Sequence, residues 1–215
     1  MTSDQTPQPL TFREALDGIY IDFEGPLNDP PALLGCLIDG CLERIILDEG
    51  LRLAADYSHF RLSSLDKEFN RILDMAISED RKIFAFSHTE RTIFRKFSGL
   101  LDRLSEFEPV YVDILPISRK WTRDFFPEEK DLRHSLKDLS ALIGFPYPPS
   151  IGKQKAAKRI RDVRNMLAGR SSYDDLTPTA KGKWTKLLKY NRLDCENLYL
   201  LTKRIAIDYA YKDPN

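Results

Sequence analysis

Apolar and polar positions fall into blocks whose period changes along the chain. Residues 18–25, GIYIDFEG, are β-branched and aromatic and are closed by Gly25-Pro26, which predicts a first strand. PALLGCLID (31–39) predicts a second apolar strand, and the turn GCLE leads into RIILD (44–48), a third. Such short connections predict an antiparallel meander. Over 64–79 the period becomes helical, with Leu65, Phe69, Ile72, Leu73 and Ala76 on one face and Ser63 or Ser64 as N-cap. KIFAFS (82–87) predicts a buried strand. Residues 89–105 predict a helix through Ile93, Phe94, Phe97, Leu100, Leu101 and Leu104, and PVYVDIL (109–115) predicts another strand. Helices follow near 134–143, 153–168 and 177–209, with the Pro-rich FPYPPS (145–150) between the first two. Periodicity alone therefore predicts an α/β fold with a mixed sheet.

Composition bounds this picture. A chain of 215 residues fits one domain with a full core, here 15–210 after a lead of Thr, Gln and Pro over 1–14. No apolar run reaches the roughly 18 residues that a membrane-spanning helix needs. The first residues lack a basic stretch followed by an apolar one, so a secretory signal is not expected. The three cysteines, Cys36, Cys41 and Cys195, lack the spacing of a zinc site and are odd in number, so a reducing, cytoplasmic compartment is expected.

The formal net charge is zero, but its distribution is uneven. Between Lys153 and Lys189 there are eleven basic residues against three acids, a local surplus of eight. The segment IGKQKAAKRIRDVRNMLAG sets Lys155, Lys158, Arg159 and Asp162 on neighbouring turns, and Lys186 follows on the last helix. Such a stretch is suited to tracking phosphates, although a charge run is more often simply a solvated helix face. Trp121 and Trp184 are equally placed to stack on bases or to pack in the core.

Two acidic constellations carry chemistry. Asp22 and Glu24 stand two apart on the first strand, so their side chains share a face. Two carboxylates on one apolar face repel each other and are costly to desolvate, and a hard divalent cation with oxygen ligands removes that cost. On its own, D-F-E is equally a solvent-facing strand edge. Tyr190 and Asp194 stand four apart in a helical pattern, so a phenol and a carboxylate point the same way.

Taken together, IDFEG on the first strand and YNRLD on the last helix resemble the first and third motifs of the DEDD 3′–5′ exonuclease superfamily, in its tyrosine subclass. The chain is most similar to the ribonuclease-H-like exonucleases found alongside RecB-like nucleases, through FAFSHTERTIFRKF, YVDIL and HSLKDLSALIGF as well. The resemblance spans roughly residues 18–205. It implies a five-stranded ribonuclease-H-like sheet, a three-strand meander plus two parallel strands, flanked by helices.

The resemblance also implies a site. Asp22, Glu24, Glu90 and Asp194 would hold two Mg²⁺ or Mn²⁺ ions, Glu90 through the second ion or its water, and Tyr190 would orient the attacking water. The second motif departs from the superfamily pattern: the first acid beyond the fourth strand is Glu90, which takes that role here. Asp102 lies about three turns further along the helix, too far from the strand end. His88 and Asp113 are more simply caps of a helix or loop, and Cys195 a core thiol. The implied partners are DNA or RNA 3′ ends, with room for a protein partner and none for a membrane. Two other readings stay open: a catalytically weakened ribonuclease-H-like module that binds nucleic acid or protein, and a metal-dependent phosphohydrolase acting on nucleotides.

Overall fold

The computed structural model describes residues 10–26, 28–149 and 156–212. One mixed sheet has the strand order β4-β3-β2-β1-β5-β6. β1 (Ile19–Glu24), β2 (Leu33–Ile38) and β3 (Cys41–Ile46) form the antiparallel meander. β5 (Ile83–Ala85) runs parallel to β1, and β6 (Tyr111–Asp113) parallel to β5. Helices flank the sheet, and the arrangement is compatible with the ribonuclease-H-like architecture.

The described helices are α1 (Phe12–Asp17), α2 (Arg52–Tyr57), α3 (Leu65–Ser78), α4 (Thr89–Phe97), α5 (Leu104–Val110), α6 (Ile114–Phe125), α7 (Leu136–Leu142), α8 (Ala156–Leu167) and α9 (Pro178–Lys212). The two-residue period of β1 divides the core. Ile19, Ile21 and Phe23 face Phe69 and Ile72 of α3, Phe94 of α4 and Phe107 of α5. Tyr20 faces the other way, against Cys195 and Leu198 of α9 and Trp121 of α6. A third apolar cluster joins Leu33 and Ile46 to α2, α8 and Trp184 of α9. Among the described residues no helix is long and apolar enough to cross a membrane.

The structure corrects several expectations. The sheet has six strands rather than five, because β4 (Arg61–Leu62) pairs in parallel with β3 at the edge. Two residues are too few to show a period; what docks them is Arg61, which binds the buried Glu68 carboxylate together with Arg71. The meander turns at Asp39-Gly40, not through GCLE. Both residues have positive φ, 50° and 76°, so the link is the two-residue hairpin that Asp-Gly favours, and β3 starts at Cys41.

The helix expected over 89–105 ends at Phe97. The Ser98 hydroxyl takes the Phe94 carbonyl at 2.7 Å, and Asp66 of α3 accepts the Gly99 amide at 3.0 Å. The strand expected over 109–115 is only Tyr111–Asp113, because Asp113 accepts the Leu115 amide at 2.9 Å and starts α6. Neither tryptophan is available for stacking on bases. Trp121 and Trp184 are buried and donate to Asp208 and Ser58.

Candidate metal centre

The site forms where α9 crosses the meander. Asp22 of β1 pairs in register with Gly35 of β2. A Cβ on Gly35 would lie 2.5 Å from Asn191 Oδ1 and 2.7 Å from Cys195 Sγ. The bare glycine lets α9 settle directly onto the strand. Once seated, Asn191 donates its amide to the Asp22 carboxylate at 2.8 Å and to the Asp22 main-chain oxygen at 3.2 Å. Asp194, one turn further on, then overhangs β1.

Three carboxylates meet there. One oxygen from each of Asp22, Glu24 and Asp194 lies within 4.8 Å of the others. Asp194 accepts a hydrogen bond from the buried Tyr147 hydroxyl, and Tyr190 adds a second. Glu24 Oε1 and Glu90 Oε2 are buried with no hydrogen-bond partner among the described residues.

Burial pushes all four acids upward, and repulsion adds to it at Glu24, Glu90 and Asp194. Burial lifts Asp22 from its ordinary 3.8 to about 6, against the opposing Asn191 bond. Glu24 is raised by burial and then by the charges of Asp22 and Asp194, with Arg159 of α8 pulling the other way. Asp194 is raised by burial and Asp22, opposed by its two tyrosine hydroxyls. Glu90 is raised by burial and Asp22.

Glu90 stands in the first turn of α4, apart from the group of three but lining the same cleft. The turn that delivers it is held from β6. Ser87 has φ of +88°, a conformation that costs a non-glycine residue on the order of 1–3 kcal/mol. Its amide is fixed by Asp113 at 3.0 Å and its carbonyl by the Tyr111 hydroxyl at 2.7 Å. Asp113 is thus a cap, for this turn and for α6, as expected. His88 is the exposed N-cap of α4 and makes no side-chain capping bond.

The cleft over these acids has a volume of about 470 Å³. Tyr190 and the exposed Lys137 of α7 line it with the carboxylates, as do Ala156 and Ala157 at the start of α8. The expected phosphate contacts are redistributed. Lys158 is bound to Asp162 at 3.2 Å, Arg159 acts on Glu24, and Lys186 is exposed on α9. Lys155 lies outside the described residues. Part of the basic surplus is neutralised by the fold: Asp162 also binds Lys183, Asp48 binds Arg164, and Asp174 binds Lys181. Asp102 is exposed and takes no part.

Comparison with family models, curated proteins and solved structures gives no match. Function therefore rests on the site itself.

Two residues of the site were not expected from sequence. Tyr147 sits in the Pro-rich FPYPPS, which reads as a separator. Asn191 did carry a signal: α9 buries a largely apolar stripe, and Asn191, Asp194 and Asn197 interrupt it within two turns. Buried polar residues on an apolar stripe need partners, and here those partners are Asp22 and Tyr147.

The donor set fits a hard divalent cation. All its ligand atoms are carboxylate oxygens, they lie within 4.8 Å of one another, and their repulsion is opposed at Glu24 by Arg159. The orphaned oxygens of Glu24 and Glu90 are the atoms that such an ion would satisfy.

Proposed function

We propose that the chain is a metal-dependent 3′–5′ exonuclease of the four-carboxylate, tyrosine-bearing type. The observation that supports it most is the convergence of Asp22 and Glu24, near one end of the chain, with Asp194, near the other, beneath a cleft that Glu90 and Tyr190 also line. Bound there, a pair of Mg²⁺ or Mn²⁺ ions would supply Lewis acidity and lower the pKa of a bound water.

The protein's own groups do the rest. Asp22, held by Asn191, and Glu24 and Asp194 beside it fix the ions' positions. Tyr190, whose hydroxyl also bonds Asp194, would orient the attacking water. Glu90, lining the same cleft, would hold the second ion directly or through its water. Lys137 on the rim offers a cation to the scissile or neighbouring phosphate. The product is a nucleoside monophosphate from a 3′ end.

A second reading, a catalytically weakened module that binds nucleic acid or protein, is favoured by one observation: Glu90 stands outside the group of three. Incubating the chain with 5′-labelled single-stranded DNA and RNA, with Mn²⁺ or with chelator, separates the two. The exonuclease gives a Mn²⁺-dependent ladder shortened from the 3′ end and abolished in Asp22→Ala. An unshortened strand with both polymers overturns the proposal, and a ladder that persists in Asp22→Ala overturns the site.

A further inference from the structure

The opposite flank of α9 carries a second groove. Asp22, Gly35 and Arg44 occupy one row across β1, β2 and β3, so all three present the same face of the sheet. α9 crosses that row over Gly35. Asp22 lies on one flank of the helix, and Arg44 on the other, about 10 Å away at two strand spacings.

Beside Arg44 opens a groove of about 580 Å³, lined by Tyr57, Trp184, Lys189, Arg192 and Glu196 as well. Its charges are unbalanced. Among the described residues that line it, three cations face one acid, Glu196, which is bound to Arg192 at 2.7 Å. Arg44 is half-buried with its guanidinium 5.0 Å from the Phe60 ring centre. Burial, and then the charge of Arg192, lower its affinity for its proton, with Glu196 pulling the other way, so two guanidinium groups sit close together here. An aromatic surface adjoins them. Tyr57 is 55% exposed and stacks on Tyr173 at 4.1 Å, with Lys181 5.6 Å from the Tyr173 ring.

A basic ridge joins the groove to the cleft. Lys186 lies one turn before Tyr190 and so shares its flank, the cleft side. At about 100° per residue, each step of three moves the position back by about 60° around the helix. Lys186, Lys189 and Arg192 therefore climb over the exposed surface of α9 from the cleft side to the groove, and Lys186 and Lys189 are exposed.

We infer that this groove binds single-stranded nucleic acid: the part of the strand that lies 5′ of the end held in the cleft, led over α9 by Lys186, Lys189 and Arg192. Phosphates would pair with the guanidinium and ammonium groups. The exposed face of Tyr57 would take an unpaired base, which a duplex keeps hidden. An acidic peptide could match the cations but would leave the aromatic platform without a purpose. The inference rests on the proposed exonuclease only for the direction of the strand, not for the binding itself.

The test uses the full chain in the presence of chelator, so that binding is read without cleavage. Anisotropy of labelled DNA and RNA strands of about twenty nucleotides is followed against salt. Lys189→Glu/Arg192→Glu should weaken binding at least tenfold and make the plot of log affinity against log salt shallower by about 1.4, for two lost phosphate contacts on a single strand. Tyr57→Ala should weaken binding by about fivefold or more with the slope unchanged. The charge-matched control Lys67→Glu/Lys96→Glu, on α3 and α4 across the sheet, should leave both as they were.

Unchanged affinity and slope in the groove variants overturns the inference. So does an equal loss in the control, or competition by polyglutamate as effective as by an unlabelled strand. Failure of the exonuclease reading shows separately, as absence of Mn²⁺-dependent shortening while the groove still binds.

Discussion

Asn191 donates its side-chain amide to the Asp22 carboxylate at 2.8 Å, and this bond joins the last helix of the chain to its first strand. It fixes which way the carboxylate faces, and it is the one bond opposing the upward shift of Asp22. Groups that orient a metal ligand typically contribute 10–100-fold to metal affinity or activity. Asn191→Ala should therefore lower Mn²⁺-dependent activity by about that factor while the fold survives. Gly35→Ala acts on the same contact from beneath, because its Cβ would meet Asn191 and Cys195. Overpacking of this kind costs roughly 1–3 kcal/mol. Thermal melting should show that loss in Gly35→Ala, with activity falling further than in Asn191→Ala.

The α/β class with a mixed sheet and the shared face of Asp22 and Glu24 were legible in the sequence, because strand period and the i, i+2 rule act over a few residues. The same holds for Tyr190 with Asp194, set by helical spacing. What was hidden depends on contacts between distant segments. Nothing local announces that Gly35 admits Asn191, or that Tyr147 in a proline-rich stretch reaches Asp194. β4 is stabilised by Arg61 and Glu68 rather than by any pattern of its own. The Asp39-Gly40 hairpin was readable, since Asp-Gly is a known turn signal, but the apolar runs on either side masked it.

The metal-free protein should lose stability as pH rises. Asp22 holds its proton more tightly when folded, with its pKa raised from 3.8 to about 6. Its contribution is fully present below pH about 4 and is lost as pH passes through about 6. Glu24, Glu90 and Asp194 shift in the same direction and extend the loss to higher pH. Melting in chelator should give a midpoint that falls from pH 4 toward pH 8 in the wild type, and less steeply in Asp194→Asn. A midpoint independent of pH over that range would mean that burial does not raise these carboxylates as stated.

The two tyrosines at Asp194 should separate by the quantity they change. Tyr147 is buried and bonded to the carboxylate, and its hydroxyl lowers the pKa of Asp194. Tyr147→Phe should weaken Mn²⁺ binding with turnover at saturating metal nearly intact. Tyr190 faces the cleft, and Tyr190→Phe should keep Mn²⁺ affinity within a few-fold while turnover falls by about 10²-fold or more, as for the loss of a positioned group at the reacting water. Metal titrations of activity read both numbers from one experiment, and identical profiles for the two variants would count against the division of roles.

The central claim is that Asp22, Glu24 and Asp194 form a divalent-cation site, and Mn²⁺ binding tests it most directly. Electron paramagnetic resonance of free Mn²⁺, titrated with the protein at pH 7.5, should show signal loss as ions bind, and Mg²⁺ should compete for the site. Asp22→Asn and Asp194→Asn should each abolish that binding while melting at or above the wild-type temperature in chelator, because each removes a charge from a repelling cluster. A Mn²⁺ signal undiminished by millimolar wild-type protein, or binding that survives both substitutions, would contradict it.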